Sequence, residues 1–446
     1  MKIYRQILLL IPLCSLLPAQ KLEYDGMRYH GESVKEYNIS EKGSLVMKKI
    51  RGDIKIVGAA RDNVTVTEHF RINTYSEKEA EKILRTHRAK YIQKGNVLTI
   101  EGGDNFRRYQ NDFTIQVPTN FNLNIDVVGG DIVTETVNGI VEVHTSGGDI
   151  DILETTGKLT VNTSGGDISI RESGAEIRAI TSGGDIVLNK ISGNLFAKTS
   201  GGDITVKQLT GDGEIKTSGG DIYITGIKGS FFRGSTSGGD IGGDDIDAEL
   251  TLNTSGGDIT LGKANSRARL ETSGGDIDVK EINGNLAATT SGGDIEIGRV
   301  SGECILKTSG GNIEVRLAED KIHATTSGGD IYMSEVYGAV YGRTSGGDIE
   351  VNKLLKKSLP SHNVDLASSG GDIALKIPDY MKADIFAQIT VYDKWDRCEI
   401  RSDFPLDIQK ESRGSKLIIT GKGRINGGGD DITLKTSGGN IGIRHQ

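Results

Sequence analysis

TSGGDIVLNKISGNLFAKTSGGDITVKQLTGDGEIKTSGGDI, residues 181–222, holds three copies of one six-residue string, each eighteen residues after the last. The Asp of that string falls at 131, 149, 167, 185, 203, 221, 240, 258, 276 and 294, is Asn312 in the next copy, and returns at 330 and 348. Every interval is eighteen residues except the nineteen from Asp221 to Asp240. Between the strings, apolar and polar residues alternate with period two, as in Ile186 and Leu188, then Leu195 and Ala197, with glycine at the corners. Alternation of that kind marks short strands with one buried face. A unit of eighteen residues cannot bury its own apolar face, so successive units must stack and pair strand on strand. The fold expected is all-β: a β-solenoid (β-helix) of 18-residue coils, with a small N-terminal cap containing one helix. Thirteen coils at the ~4.8 Å strand spacing make a rod on the order of 60 Å long. The inward positions do not follow a six-residue spacing, so cross-section and handedness stay open at this stage.

Two irregularities sit where corners absorb them: the extra residue near Gly229-Ser230-Phe231-Phe232, and the twenty-four residues from Asp348 to Asp372, with Leu355 to Asn363 as a bulging loop. The flanks divide the chain further. Residues 1–19 have the layout of a secretory signal, with Lys2 and Arg5 ahead of an apolar run from Ile7 to Leu17 and a cleavage point after Ala19. Cys14 invites a lipoprotein reading, but Leu13 stands where such signals want a small residue. Residues 20–120 read as a β-rich cap, including Ile54-Lys55-Ile56-Val57 and Val64-Thr65-Val66. Its one helix starts at a Ser76/Glu79 capping box and presents Ala80, Ile83, Leu84 and His87 on one stripe. Residues 121–376 form the solenoid. Residues 377–446 loosen through Ala383 to Ala387 and Trp395 to Cys398, then regain the pattern at Thr436-Ser437-Gly438-Gly439-Asn440-Ile441, and read as solenoid continuation and cap.

Composition narrows the function. There are 62 Gly but only 6 Pro, without a three-residue glycine period, which excludes a collagen-like chain. The net charge of -8 becomes about -10 once Lys2 and Arg5 are removed, which disfavours nucleic acid and anionic membranes as partners. No later apolar run approaches the ~20 residues of a transmembrane helix. Two Cys remain after cleavage, Cys304 and Cys398, too few for a disulfide framework.

The Gly-Asp-Ile turns, the Phe121-Asn122-Leu123 lead-in after Val117-Pro118, and the closing Asn426-Gly427-Gly428-Gly429 and Thr436 to Ile441 segments carry a resemblance. From about residue 38 to the end, the chain resembles the bacterial putative-adhesin family of β-solenoid proteins, a domain family of unknown function. The resemblance implies an exported solenoid of the cell envelope and implies no catalytic residues.

The recurrent Asp is the obvious functional candidate, because carboxylates ~4.8 Å apart repel by roughly 0.9 kcal/mol per pair even in water. One remedy is a cation ladder. Yet there is one Asp per coil and no second oxygen ligand at fixed spacing, whereas Ca²⁺ takes six to eight oxygens. The favoured reading is that each Asp accepts hydrogen bonds from turn N–H groups, which Asn312 and Asn440 also do without the charge. The Thr column, Thr145, Thr163, Thr181, Thr199 and onward, shares parity with buried neighbours and is expected inside as a hydroxyl ladder along the stack. The outward positions beside it vary without pattern. Tyr332, Tyr337 and Tyr341 lie within one coil and are candidates for stacking on a sugar ring.

Seven His fall in no metal-ligand spacing, and there is no Gly-x-Ser-x-Gly or phosphate loop. Catalytic, cofactor-binding and metal sites are therefore expected to be none; the loop Leu355 to Asn363 is the best place for any activity. The function expected is an exported, non-enzymatic structural or adhesin-like interaction module of the cell envelope. It would sit in the periplasm, at the outer membrane or on the cell surface, and meet a protein or glycan partner still to be identified. The alternatives are a polysaccharide- or divalent-cation-binding envelope protein and, second, a polysaccharide-degrading β-helix enzyme.

Overall fold

The computed structural model describes residues 22–103, 108–174, 176–392 and 397–446. The signal segment, Cys14 and Trp395-Asp396 lie outside the described residues. Each coil contributes one strand to each of two parallel ladders. One ladder holds the strands that follow the Asp, such as Ile186–Ser192 on Ile204–Thr210; the other holds those that precede the Thr, such as Leu195–Lys198 on Gly213–Lys216. A short third side closes the coil. Its inward residue, Ile191 paired with Leu209 or Ala264 paired with Ile282, completes a narrow core of small aliphatics. The fold is a β-solenoid, as the repeat predicts.

The register of coil on coil is direct, with Ile186 over Ile204 and Leu188 over Val206, so identical slots stack into columns. The nineteen-residue coil keeps this register by bulging between Lys228 and Phe231; Asp212 Oδ1 holds the bulge by accepting from Ser230 N (2.7 Å) and Phe231 N (3.1 Å). The third-side corner changes two coils later. Thr136, Glu154, Glu172, Lys190, Gln208 and Asp245 all take left-handed backbone at the fifth residue after the Asp. In the following coils that slot (Lys263, Glu281, Arg299) stays in the ladder instead.

Both ends depart from chain order. Ser44–Ile50 and Ile54–Ala59 form a level that lies between the level of Val97–Glu101 with Tyr109–Pro118 and that of Asn122–Val127 with Ile132–Glu135. The stack thus takes in two coils from residues 20–120, the stretch read as a cap. At the other end, Asp430–Thr436 and Ile441–His445 slot between Val364–Ala367 with Ile373–Ile377 and Ala383–Val391 with Ile400–Ser402. The last repeat of the chain is therefore the penultimate level of the rod. A terminal segment with strands on both sides cannot fray as a free end does.

With these additions each ladder has eighteen parallel strands, about 80 Å of rod at ~4.8 Å per level. Antiparallel strands finish the rims: Lys90–Lys94 and Val64–Ile72 at one end, Lys416–Ile425 with Asp407–Arg413 at the other. The outermost strand, Asp407–Arg413, is exposed throughout and bears charges of both signs, which discourages further strand addition. The helix spans Glu77–His87 and buries Ala80 and Ile83 against the first rim. Its capping box does not form. The Glu79 carboxylate is taken by Thr74 Oγ1 (2.7 Å) and Arg108 (2.6 Å), so it cannot reach back to Ser76.

Candidate interaction surface

The repeated string builds one corner of the rod, and each residue type there answers to the coil above or below. The second glycine is imposed by stacking: a Cβ on Gly184 would lie 2.1 Å from Gly166 O, and the same contact recurs from Gly202 to Gly371. The first glycine is under no such constraint, because a Cβ on Gly183 would meet nothing closer than 3.5 Å. The Thr is buried, as its parity predicts. Its hydroxyl donates to the backbone carbonyl of the preceding coil's second glycine, Thr181 Oγ1 to Gly166 O at 2.9 Å, rather than to another hydroxyl.

The Asp column is exposed, and each Oδ1 accepts the backbone N–H of the Asp one coil on, as in Asp203 N to Asp185 Oδ1 at 2.8 Å. The acceptor role is the predicted one, but the donor belongs to the neighbouring coil and not to the same turn. Asn312 fits the column unchanged, donating its N–H to Asp294 (2.6 Å) and accepting from Asp330 N (2.8 Å). The ladder runs past the repeats: Asp131 N bonds Asp53 Oδ1, Asp53 N bonds Asp112 Oδ1, and at the far end Asn440 N bonds Asp372 Oδ1. A hydrogen bond to a charged acceptor contributes about 1.5–3 kcal/mol, which offsets the repulsion between neighbouring carboxylates, roughly 0.9 kcal/mol per pair in water and more near protein. Among the described residues, no group of three or more His, Cys, Asp or Glu stands in an arrangement that could hold a metal ion.

The three tyrosines do not share a surface. Tyr332 projects from Ile331–Val336 in one ladder, Tyr341 from Val340–Arg343 in the other, and Tyr337 sits at the corner between them. Tyr341 is already engaged, with His323 at 5.3 Å and the Arg343 guanidinium 4.6 Å from its ring centre. Nine residues is half of an eighteen-residue coil, so Tyr332 and Tyr341 fall in opposite ladders.

The insertion Leu355 to Asn363 is strapped to the rod. Lys356 reaches Glu319 (3.1 Å), whose carboxyl the Arg299 and Lys356 hydrogen bonds hold below its usual range, and His362 N donates to Asp430 Oδ1 (2.9 Å). Just before the loop, Lys353 occupies an inward slot that the column, the sixth residue after each Asp, assigns to Leu354. A one-residue register shift aligns Lys353 with Val336 and buries it completely. Its ammonium donates to the carbonyls of Val336 (3.3 Å), Leu354 (2.8 Å) and Tyr337. Burial pushes its pKa down to about 7. Nothing in the sequence pattern announces this shift, because Leu354 is the better fit to the column.

At the opposite end, buried Glu68 accepts from Tyr91 Oη (2.5 Å), Tyr109 Oη (2.8 Å) and Asn111 Nδ2 (2.8 Å), with Lys35 Nζ 3.3 Å from the Tyr91 ring centre. These groups fill the interior where small aliphatics run out.

The family described as Toastrack DUF4097 matches residues 44–228 and 210–376. The chain belongs to the Toastrack family. Among solved structures, this Toastrack chain is similar to "a putative cell adhesion protein" from Clostridium sporogenes, at 10% identity over 93% of this chain and 99% of that one, with a TM-score of 0.14. It is also similar to "a putative adhesin" from Bacteroides fragilis, at 13% identity over 78% and 97%, TM-score 0.16. A "putative adhesin" from Parabacteroides distasonis matches at 10% identity over 75% and 96%, TM-score 0.18. No curated protein matches the Toastrack chain. Among its described residues, no helix is long and apolar enough to cross a membrane.

Proposed function

We propose that this Toastrack protein is an exported, non-catalytic rod of the cell envelope that acts as an adhesin-like interaction module. The observation that carries the reading is the continuous corner ladder. Thr, Gly and Asp bond coil to coil along nearly the whole length, so the conspicuous repeated groups are spent on stiffness. A stiff body about 80 Å long with charged antiparallel rims suits holding a lateral surface out toward a partner. The residues 1–19 segment supports export, and the family resemblance supports the envelope.

The test is to express the full chain with an affinity tag after Gln446 in a bacterium and fractionate the cells. The reading expects the product to start near Gln20, to leave the cytoplasm and to be retained by isolated envelopes. Cytoplasmic retention of the uncleaved chain would overturn the export claim. Mature rod that fails to associate with envelope material would overturn the interaction claim.

A further inference from the structure

In the ladder that follows the Asp, the outward column next to it carries side chains of ordinary reach along most of the rod, among them Tyr223, Glu296, Glu314, Tyr332 and Glu350. Gly242 interrupts it, but the Tyr223 ring covers that gap, 3.2 Å from where a Cβ would stand. Near the C-terminal end the column reads Glu350, Ala374, Gly442, Arg401 across four adjacent strands. Here nothing covers the gap: a Cβ on Gly442 would have no atom within 4 Å. A glycine in a strand interior weakens the strand, and close approach of a ligand to the backbone is one of the reasons such a glycine is kept.

The result is a groove of about 580 Å³, a size that holds a small ligand. Its floor is Ala374 and Gly442. Lys376, Arg397, Arg401 and Arg444 line it, against Glu350, Asp372 and Glu399, so it is net positive on a protein of net charge -8. Lys376 pairs with Glu350 (3.0 Å) and Arg401 pairs with Glu399. Arg444 lies directly across from Lys376 with no carboxylate in ion-pair reach among the described residues, and Arg397 also lacks one. Glu350 offsets the Lys376 charge, and Arg444 is left as the open cation of the pair.

A guanidinium presents a planar fork matched to a carboxylate. Beside it, Asp372 accepts from Asn440, Asn440 Oδ1 accepts from Glu399 N (3.1 Å) and Glu399 pairs with Arg401, and the remaining lone pairs of these oxygens face the groove as acceptors for hydroxyl groups. A bare phosphate or sulfate brings no hydroxyl groups to those acceptors, and an apolar ligand would leave the charged lining without partners. A molecule that combines a carboxylate with several hydroxyls satisfies both sets.

We propose that the groove over Ala374 and Gly442 binds a carboxylate-bearing sugar of an acidic polysaccharide, with Arg444 and Arg401 on its carboxylate. The inference rests on the interaction-module reading and names a ligand for one end of the rod. Because the test uses purified protein, it separates from the cell fractionation above.

Isothermal titration of residues 20–446 with trigalacturonic acid should show binding that its uncharged methyl ester weakens at least about tenfold. Gly442→Leu, which fills the groove without touching the core, and Arg444→Gln should each weaken it by a similar factor while leaving the thermal midpoint within about 2 °C. No binding by the wild-type protein, or equal binding by both variants, overturns the proposal. Tetraglutamate binding as tightly as the saccharide overturns it in favour of an acidic protein partner.

Discussion

Replacing the second glycine of one repeat by alanine should be far more damaging than replacing the first, although the two are adjacent and equally invariant along the column. In the coil of Asp258, a Cβ on Gly257 would lie 2.1 Å from Gly239 O and 2.5 Å from Asp240 Oδ1. Carbon and oxygen rest at about 3.3 Å, so the coils must part by roughly 1 Å at this corner. That displacement breaks or strains Thr254 Oγ1 to Gly239 O (2.8 Å), Asp258 N to Asp240 Oδ1 (2.8 Å) and Ile241 N to Asp258 O (2.9 Å). At about 1 kcal/mol each, plus about 1–3 kcal/mol for a buried hydroxyl or carbonyl left unsatisfied, Gly257→Ala should cost about 4–6 kcal/mol. Gly256→Ala meets nothing closer than 3.5 Å and should stay within about 1 kcal/mol, in either direction. Urea unfolding followed by far-ultraviolet circular dichroism measures both. In a stacked array the loss falls on one interface, so Gly257→Ala should also broaden or split the transition. Equal midpoint shifts for the two variants would refute the claim that inter-coil approach, and not backbone conformation, selects glycine here.

Asp258→Asn keeps the acceptor for Asp276 N and removes two repulsions of roughly 0.9 kcal/mol, so it should leave stability equal or raise it, whereas Asp258→Ala should lose about 1–3 kcal/mol. Thermal midpoints at low and high salt check this, because screening should raise the wild type more than the Asn variant. Gln208→Gly should stabilise by about 0.5–1 kcal/mol in urea titrations, since Gln208 holds a φ of 57° and Gly226 already fills the same slot one coil on. Lys353, with its pKa pushed down to about 7, binds its proton less readily folded than unfolded. Stability should therefore rise between about pH 7 and pH 10, by up to about 1.4 kcal/mol per pH unit. Lys353→Met should flatten that rise, and identical slopes for both proteins would exclude the buried lysine as its source.

The ladder shows how far the pattern reaches. Parity alone places every Thr from Thr145 inside, and Asn312 alone shows that the Asp slot needs an acceptor more than a charge. Neither says which coil supplies the donor, because a turn N–H and a neighbouring coil's N–H are equivalent until the coils are stacked. The tyrosines of the Asp330 coil illustrate the same limit: closeness in sequence did not bring them to one side. The arginines of the groove are dispersed over some fifty residues, and only the return of the last repeat sets Arg444 next to Lys376 and Arg401 next to Gly442.

An eighteen-residue period with alternating aliphatics determines by itself that the chain is a β-solenoid, since no other arrangement buries so many short, identical apolar faces. Which coil lies next to which at the two ends was decided only in three dimensions. Within the repeats, chain connectivity forces each coil onto its predecessor. In the flanks, longer excursions release that constraint, and pairing goes to whichever strand presents the matching column of N–H groups and aliphatics. Gly52-Asp53-Ile54 accordingly joins Asp131, and Gly439-Asn440-Ile441 joins Asp372, ahead of the segments nearer to them in sequence.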